Sequence, residues 1–409
     1  MISVTVSAIN ICLRDVSCPV YCKNELAPTP LSGRKERQGN GVMRRITEHR
    51  KQLKRMYSIE DGRLRGEGEW GKFALFWFLL FLSYKCTRRC EYCYAFNQVS
   101  DDNKMEMDES TFSRLLEWIP EVWKVNNVKV NTVGFLGGEP LLRTDRIKKI
   151  MYSVYRNTDG MQGFLYTNGD LVDTVNWDDL EDIQWMTINI TDISIEELSR
   201  RMKIISERSN AIGQTIVATL DDYNLERILD ITRFGTENGY RLRYQKDLYR
   251  GLDAEYRKRL LKRYHELCDL LENYIVKGYD VHTTFLLDTL IPLWDLEYSP
   301  YPCGKRISTV YPDGTIGPCI RDHSFKTGTI FDENPLSKIY CETFHYNVTK
   351  PGIPDECREC ESKTTCQGGC PNDRLLLTGT ASGKSVMCDI HKEIIPRLRY
   401  LDKLKNDMK

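Results

Sequence analysis

What the sequence lacks narrows the field before any motif is read. Net charge is missing: Lys+Arg and Asp+Glu each total 58. Without a basic footprint, neither nucleic acid nor an anionic membrane surface is an expected partner. Long apolar runs are missing too. Phe73–Leu82 carries ten residues without a charge, about half of the roughly 20 that a membrane-spanning helix needs, so it reads as a buried strand. Met1–Cys12 shows no basic segment, long apolar core and small-residue cleavage site in series, so no export signal is expected. Histidine is scarce, with six in the chain and none between His49 and His265.

Cysteine is abundant, with 15. Without export, thiols stay reduced in the cytoplasm, and clustered cysteines then point to metal or redox chemistry rather than disulfides. Cys12, Cys18 and Cys22 lie in the N-terminal segment. Cys86, Cys90 and Cys93 follow the apolar run. Cys303, Cys319, Cys357, Cys360, Cys366, Cys370 and Cys388 crowd the last quarter, and Cys268 and Cys341 stand apart.

Three regions are expected. Residues 1–72 form a poorly defined arm, basic from Arg34 to Arg65. It is either a solvated arm or a grip for an acidic substrate segment, and translation starting at Met43 or Met56 would remove part of it. Residues 73–290 alternate strand and helix patterns. Strands are expected at Trp77–Tyr84, Thr132–Leu136, Gly163–Tyr166, Trp185–Ile190, Gln214–Thr219 and Arg241–Gln245. Helices are expected at Glu109–Val122, Arg143–Tyr155, Asn176–Glu181, Ile195–Ser206 and Asn224–Glu237. Such repeats build parallel sheets with right-handed crossovers. The fold class is therefore α/β, a partial (β/α)6 TIM-like barrel with reactive groups at the carboxyl ends of its strands. Ala254–Lys277 reads as one amphipathic helix bridging to residues 291–409. That tail is rich in Pro, Gly and Cys, and metal coordination can supply its folding energy.

The loop after the first strand spaces its cysteines as Cys86-x3-Cys90-x2-Cys93. Three thiolates on one short loop can cap three irons of a cubane and leave the fourth open. A structural zinc site would need a fourth ligand.

This loop resembles that of the radical S-adenosylmethionine (radical SAM) superfamily, with aromatic Tyr92 before the last cysteine. Gly137-Gly138-Glu139-Pro140 follows the second expected strand, and Thr167-Asn168-Gly169 follows the third. The resemblance implies a SAM-binding 4Fe–4S cluster, reductive cleavage of SAM to a 5′-deoxyadenosyl radical, and a contact from the GGE segment to the methionine amino group. It places a ribose contact at Asn189 and Thr191, although the usual serine-aspartate-glycine wording is absent there.

The tail resembles the SPASM domain that extends part of that superfamily. The resemblance implies two auxiliary 4Fe–4S clusters. Cys357, Cys360, Cys366 and Cys388 would hold the outer one, and Cys303, Cys319 and Cys370 the inner one. Two zinc sites are the structural alternative. The inner cluster's fourth ligand stays open between Cys268, Cys341 and a substrate group. Gly379–Ser385 lacks the first glycine of a phosphate loop, because Thr378 stands there.

The resemblance implies oxidative modification of a peptide or protein, by thioether or carbon–carbon crosslinking of a ribosomally made peptide. The electron donor would be of the flavodoxin or ferredoxin type. Sulfatase-activating oxidation of cysteine or serine, oxidation of a small metabolite, and a structural or electron-transfer metalloprotein are the alternatives. No catalytic acid or base stands out. Asp192, Asp222 and Asp288 lie near expected strand ends, where exposed carboxylates are common.

Overall fold

The computed structural model describes residues 58–60, 63–65, 76–97, 106–126, 130–157, 162–247, 253–286, 290–292, 307–332 and 353–408. Cys12, Cys18, Cys22, Asp288, Cys303 and Cys341 lie outside the described residues, as does most of the basic arm.

A short hairpin, β1 (Ser58–Glu60) and β2 (Arg63–Arg65), precedes the main sheet. Six parallel strands then follow in chain order: β3 (Phe76–Phe81), β4 (Val130–Leu136), β5 (Gln162–Thr167), β6 (Ile183–Ile190), β7 (Gly213–Leu220) and β8 (Arg241–Lys246). These are the six expected strands. β9 (Thr283–Leu286) extends the run in parallel, and β10 (Leu290–Pro292) turns back antiparallel beside it. At the opposite side, β11 (Ile307–Val310) pairs parallel with β3, Thr309 opposite Leu79. β12 (Thr315–Gly317) and β13 (Gly328–Thr329) complete an 11-stranded sheet. The tail thus contributes strands to the sheet that carries the cysteine loop.

The helices between strands are α1 (Tyr94–Asn97), α2 (Glu109–Asn126), α3 (Thr144–Asn157), α4 (Ile195–Arg208), α5 (Asp222–Glu226), α6 (Ile228–Glu237) and α7 (Ala254–Val276). Their starts are chemically marked. Ser194 caps α4 by accepting from the Glu197 amide, and Asp253 caps α7 by accepting from the Tyr256 amide. Two expectations need correction. Asn176–Glu181 holds a short 3-10 helix, Trp177–Leu180, rather than an α-helix, and the Asn176 side chain caps it by accepting from the Asp178 amide. The helix expected over Asn224–Glu237 breaks at Arg227 into α5 and α6. The break follows from Asn224, whose buried amide donates to the Ile190 and Thr219 carbonyls and ties the first turn to the strand ends.

The two faces of the sheet bury different cores. Phe78, Leu80, Val133, Phe135, Leu165, Ile188, Ile216 and Leu242 face the helices. Leu79, Phe81, Leu136, Phe164 and Trp185 turn to the concave side with Tyr311 of the tail. Strand alternation produces this division. In the tail, α8 (Lys363–Cys366), α9 (Pro371–Thr378) and α10 (Cys388–Asp407) follow. α10 lies against α7, where Arg397 reaches Glu272 at 2.9 Å and also pairs with Asp269. Among the described residues no helix is long and apolar enough to cross a membrane.

Candidate active site

β3 stops at Phe81, three residues short of expectation, because the chain there turns toward Glu106–Met107. Met107 N donates to the Leu82 carbonyl at 2.9 Å, and Ser83 bridges to Glu106. The cysteine loop, residues 84–93, leaves from this end of the sheet. The loop after β4 lies directly on it: Gly138 N donates to Ser83 O and Glu139 N to Lys85 O, both at 2.8 Å. This approach explains the glycine at 138, where a Cβ would overlap the Lys85 carbonyl. The glycines therefore first serve the fit of one backbone to another.

Glu139 is almost fully buried, 2% exposed. Its carboxylate accepts from Leu141 N (3.0 Å), Thr167 Oγ1 (2.7 Å) and Asn168 N (2.9 Å). It thereby joins the end of β4 to the end of β5. Burial pushes its pKa from 4.5 up to about 7, against the pull of those donors. Asn168 reaches back to the loop, its Nδ2 lying 2.9 Å from Thr87 Oγ1 and 3.6 Å from Cys86 Sγ. At the end of β6, Thr191 Oγ1 lies 3.9 Å from Cys90 Sγ and bonds the Tyr92 hydroxyl. The Asn189 side-chain oxygen is buried with no hydrogen-bond partner among the described residues. Thus Cys86, Cys90, Tyr92, Gly138, Glu139, Thr167, Asn168 and Thr191, drawn from four strand ends, meet around one loop.

The three thiols lie in one electrostatic neighbourhood. Burial raises Cys86, and the nearby Cys93 and Cys90 sulfurs raise it further; burial also raises Cys93. Backbone amides already point at sulfur, Arg88 N to Cys86 Sγ and Phe96 N to Cys93 Sγ, each at 3.4 Å. Amide donors of this kind stabilise a thiolate once iron has displaced its proton. Among the described residues no three Cys, His, Asp or Glu side chains converge as they do on a single metal ion. Ligands of a cubane stand farther apart, because each binds a different iron. The donor set and its spacing fit such a cluster.

The tail cysteines fall into two neighbourhoods. Cys357, buried at the turn Asp355–Cys357, feels Cys366, Cys388 and Cys360, and burial with their charge raises its pKa to about 11. Cys366 Sγ lies 3.0 Å from His391 Nδ1 on the first turn of α10. Cys319 and Cys370 form the second neighbourhood, beside Arg321. Asn372 Nδ2 lies 3.7 Å from Cys319 Sγ, and Arg321 bonds both oxygens of buried Asp373 at 2.7 and 2.6 Å. Cys268 sits apart on α7, buried among apolar side chains.

An aromatic group links the first site to Cys319. Tyr84 Oη lies 3.3 Å from His323 Nδ1, the His323 ring lies 4.5 Å from Tyr311, and Tyr311 Oη donates to the Cys319 carbonyl at 2.9 Å. Half-buried Tyr94, next to Cys93, feels Arg321 and Cys319 as well. Of the carboxylates considered as acid or base, the two within the described residues are both held in ion pairs. Asp192 is exposed and pairs with Arg88 at 3.2 Å, and Asp222 pairs with Arg259 at 2.8 Å. Sequence reading missed Arg88, Asp170, Arg321, Asp373 and His391. For most of these the only signal was adjacency to a motif: Arg88 lies inside the cysteine loop, Asp170 follows Thr167-Asn168-Gly169, and Arg321 and Asp373 follow Cys319 and Cys370.

Residues 80–241 match the family described as the radical SAM superfamily. The PqqA peptide cyclase of Gluconobacter oxydans (strain 621H) is 25% identical over 335 residues, covering 76% of this chain and 89% of that protein. That of Xanthomonas oryzae pv. oryzae (strain MAFF 311018) is 24% identical over 337 residues, covering 76% and 87%. Among solved structures, BtrN in complex with AdoMet and 2-DOIA aligns over 66% of this chain and 85% of its own, at 14% identity and a TM-score of 0.31. The match over residues 80–241 takes in the three-cysteine loop and the strands that follow it; this part of the chain is a radical SAM domain, of a superfamily that works with a 4Fe–4S cluster and S-adenosylmethionine.

Proposed function

We propose that this enzyme oxidatively modifies a peptide, forming a thioether or carbon–carbon crosslink. The observation that carries the reading is the convergence of Asn168, Glu139 and Thr191 on the Cys86–Cys93 loop at the strand ends. The peptide substrate is supported by likeness to PqqA peptide cyclases over more than three-quarters of their length.

In this reading Cys86, Cys90 and Cys93 hold the SAM-binding cluster. Gly137, Gly138 and Glu139 would hold the methionine end of SAM, and Thr167 and Asn168 brace Glu139 from β5. Asn189, whose side-chain oxygen has no hydrogen-bond partner among the described residues, and Thr191, bonded to Tyr92, would meet the ribose. When bound, cluster and cofactor supply the 5′-deoxyadenosyl radical. The chain's own part is to hold SAM in one orientation and keep water from the concave face, which Phe81, Phe164, Trp185 and Tyr311 line with apolar surface. Removing a hydrogen pair from a peptide takes one hydrogen atom, one proton and one further electron. Two auxiliary 4Fe–4S clusters would accept that electron. Cys357, Cys360, Cys366 and Cys388 would hold the outer one, and Cys319 and Cys370, with Cys303, the inner one. The test is incubation of the reduced, reconstituted enzyme with SAM and a candidate peptide encoded beside its gene. Loss of a hydrogen pair from the peptide, located by fragmentation, supports the reading. Deoxyadenosine formed with a small metabolite but never with peptide contradicts it.

A further inference from the structure

Of the three residues between Cys86 and Cys90, two are tied down. Arg88 donates to Asp170 through Nε at 2.7 Å and Nη2 at 2.6 Å, a two-point contact on one carboxylate. Thr87 Oγ1 donates to the same carboxylate at 2.9 Å. The remaining Arg88 nitrogen, Nη1, donates to the Thr191 carbonyl at 2.7 Å. Asp170 is itself held from behind, by Arg201 Nη1 at 2.7 Å, and Arg201 also bonds the Asn168 carbonyl at 3.0 Å. The Arg88 and Asp170 side chains are 17% and 21% exposed, unlike the neighbouring Arg200–Asp173 pair at 46% and 49%. Shielded two-point contacts are worth more than exposed pairs, which contribute little.

We propose that Arg88 and Asp170 clamp the cysteine loop onto the ends of β5 and β6, so that the Cys86 and Cys90 thiols stand in cluster-binding directions before iron arrives. Both are positioning residues for the radical reaction. The geometry argues for this over a bland surface pair. A loop with three residues between its cysteines has few free torsions, and fixing Thr87 and Arg88 fixes the thiol on either side. The clamp also spans the two strand ends, with Asn168 and Thr191, that lie against those same sulfurs. The proposal rests on the reading that Cys86, Cys90 and Cys93 hold the SAM-binding cluster.

The test uses the full chain, reconstituted anaerobically, in four forms: wild type, Asp170→Asn, Arg88→Lys and Asp173→Asn. Iron release to a chelator is followed, together with the electron paramagnetic resonance spectrum of the reduced protein with and without SAM. Asp170→Asn is expected to lose the iron of the first site at least about tenfold faster, the effect of one lost charged hydrogen bond, with tail iron released at the wild-type rate. Its SAM-induced spectral change should weaken. Arg88→Lys keeps the charge without the two-point fork and should fall between. Asp173→Asn should match wild type. The clamp is overturned if Asp170→Asn and Arg88→Lys both hold iron as wild type does with unchanged spectra. If Asp170→Asn does not fold, Arg88→Lys decides alone. If wild type itself binds no cluster on these three cysteines, the underlying reading falls and takes the clamp with it.

Discussion

Replacing Glu139 by Gln tests how the buried carboxyl at the centre of the site is held. Its three donors favour the ionised form, while near-complete burial favours the neutral one. Burial prevails and places the pKa at about 7 rather than 4.5. A carboxyl with a higher pKa folded than unfolded binds its proton more tightly in the folded state. Its stabilising contribution is therefore complete below about pH 4.5 and is lost as pH rises through about 7. The shift is worth about 3 kcal/mol at most. Glutamine is permanently neutral like the protonated acid, although its NH2 only donates where the acid's hydroxyl oxygen can also accept. Near pH 5 the substitution should itself cost about 1–3 kcal/mol, because all three neighbours donate to the carboxyl oxygens and the amide NH2 that replaces one of them cannot accept. Between about pH 5 and about pH 8 the wild type should then lose up to about 3 kcal/mol that Glu139→Gln keeps. Anaerobic urea unfolding without SAM, followed by tryptophan fluorescence across this range, measures the gap. If the wild type instead gains on Glu139→Gln as pH rises, the three donors outweigh burial and the reasoning is refuted.

Gly138→Ala should push the loop after β4 off Lys85, costing about 1–3 kcal/mol and slowing cluster assembly on the first site; iron content and melting temperature check both parts. Arg321→Met leaves the Asp373 carboxylate buried without its cation and should destabilise the tail by about 3 kcal/mol; unchanged urea unfolding would refute this. His391→Leu removes the imidazole beside Cys366. Hydrogen bonds to cluster sulfurs help set reduction potential, so the outer auxiliary cluster proposed on Cys366 should become harder to reduce in a redox titration if Nδ1 donates to that sulfur, and an unmoved midpoint would show that it does not.

The strands could be read because short apolar runs such as FWFLLF in β3, or apolar residues alternating with polar ones as in RLRYQK of β8, are local signals. The first cysteine site was equally local, three thiols within eight residues. What holds that site was not. Arg88 and Asp170 are 82 residues apart, and Arg321 and Asp373 are 52 apart. No spacing rule links a charge in one loop to its counter-charge in another, since only the packed sheet brings them together. The pairing of β11 with β3 was hidden for the same reason. Ile307–Val310 is too short a segment to announce a partner more than 200 residues earlier. The break between α5 and α6 depends on Asn224 reaching two carbonyls on different strands, which helical periodicity does not record.

One reactive and two auxiliary clusters are proposed to occupy these cysteines. The most direct measurement counts iron per chain and assays 5′-deoxyadenosine after reduction with SAM, in wild type and in the combined variant Cys86→Ala/Cys90→Ala/Cys93→Ala. The account predicts about twelve irons in wild type, about eight in the variant, and deoxyadenosine from the wild type alone. Zinc in place of iron, or deoxyadenosine formation that survives loss of the three cysteines, would contradict it.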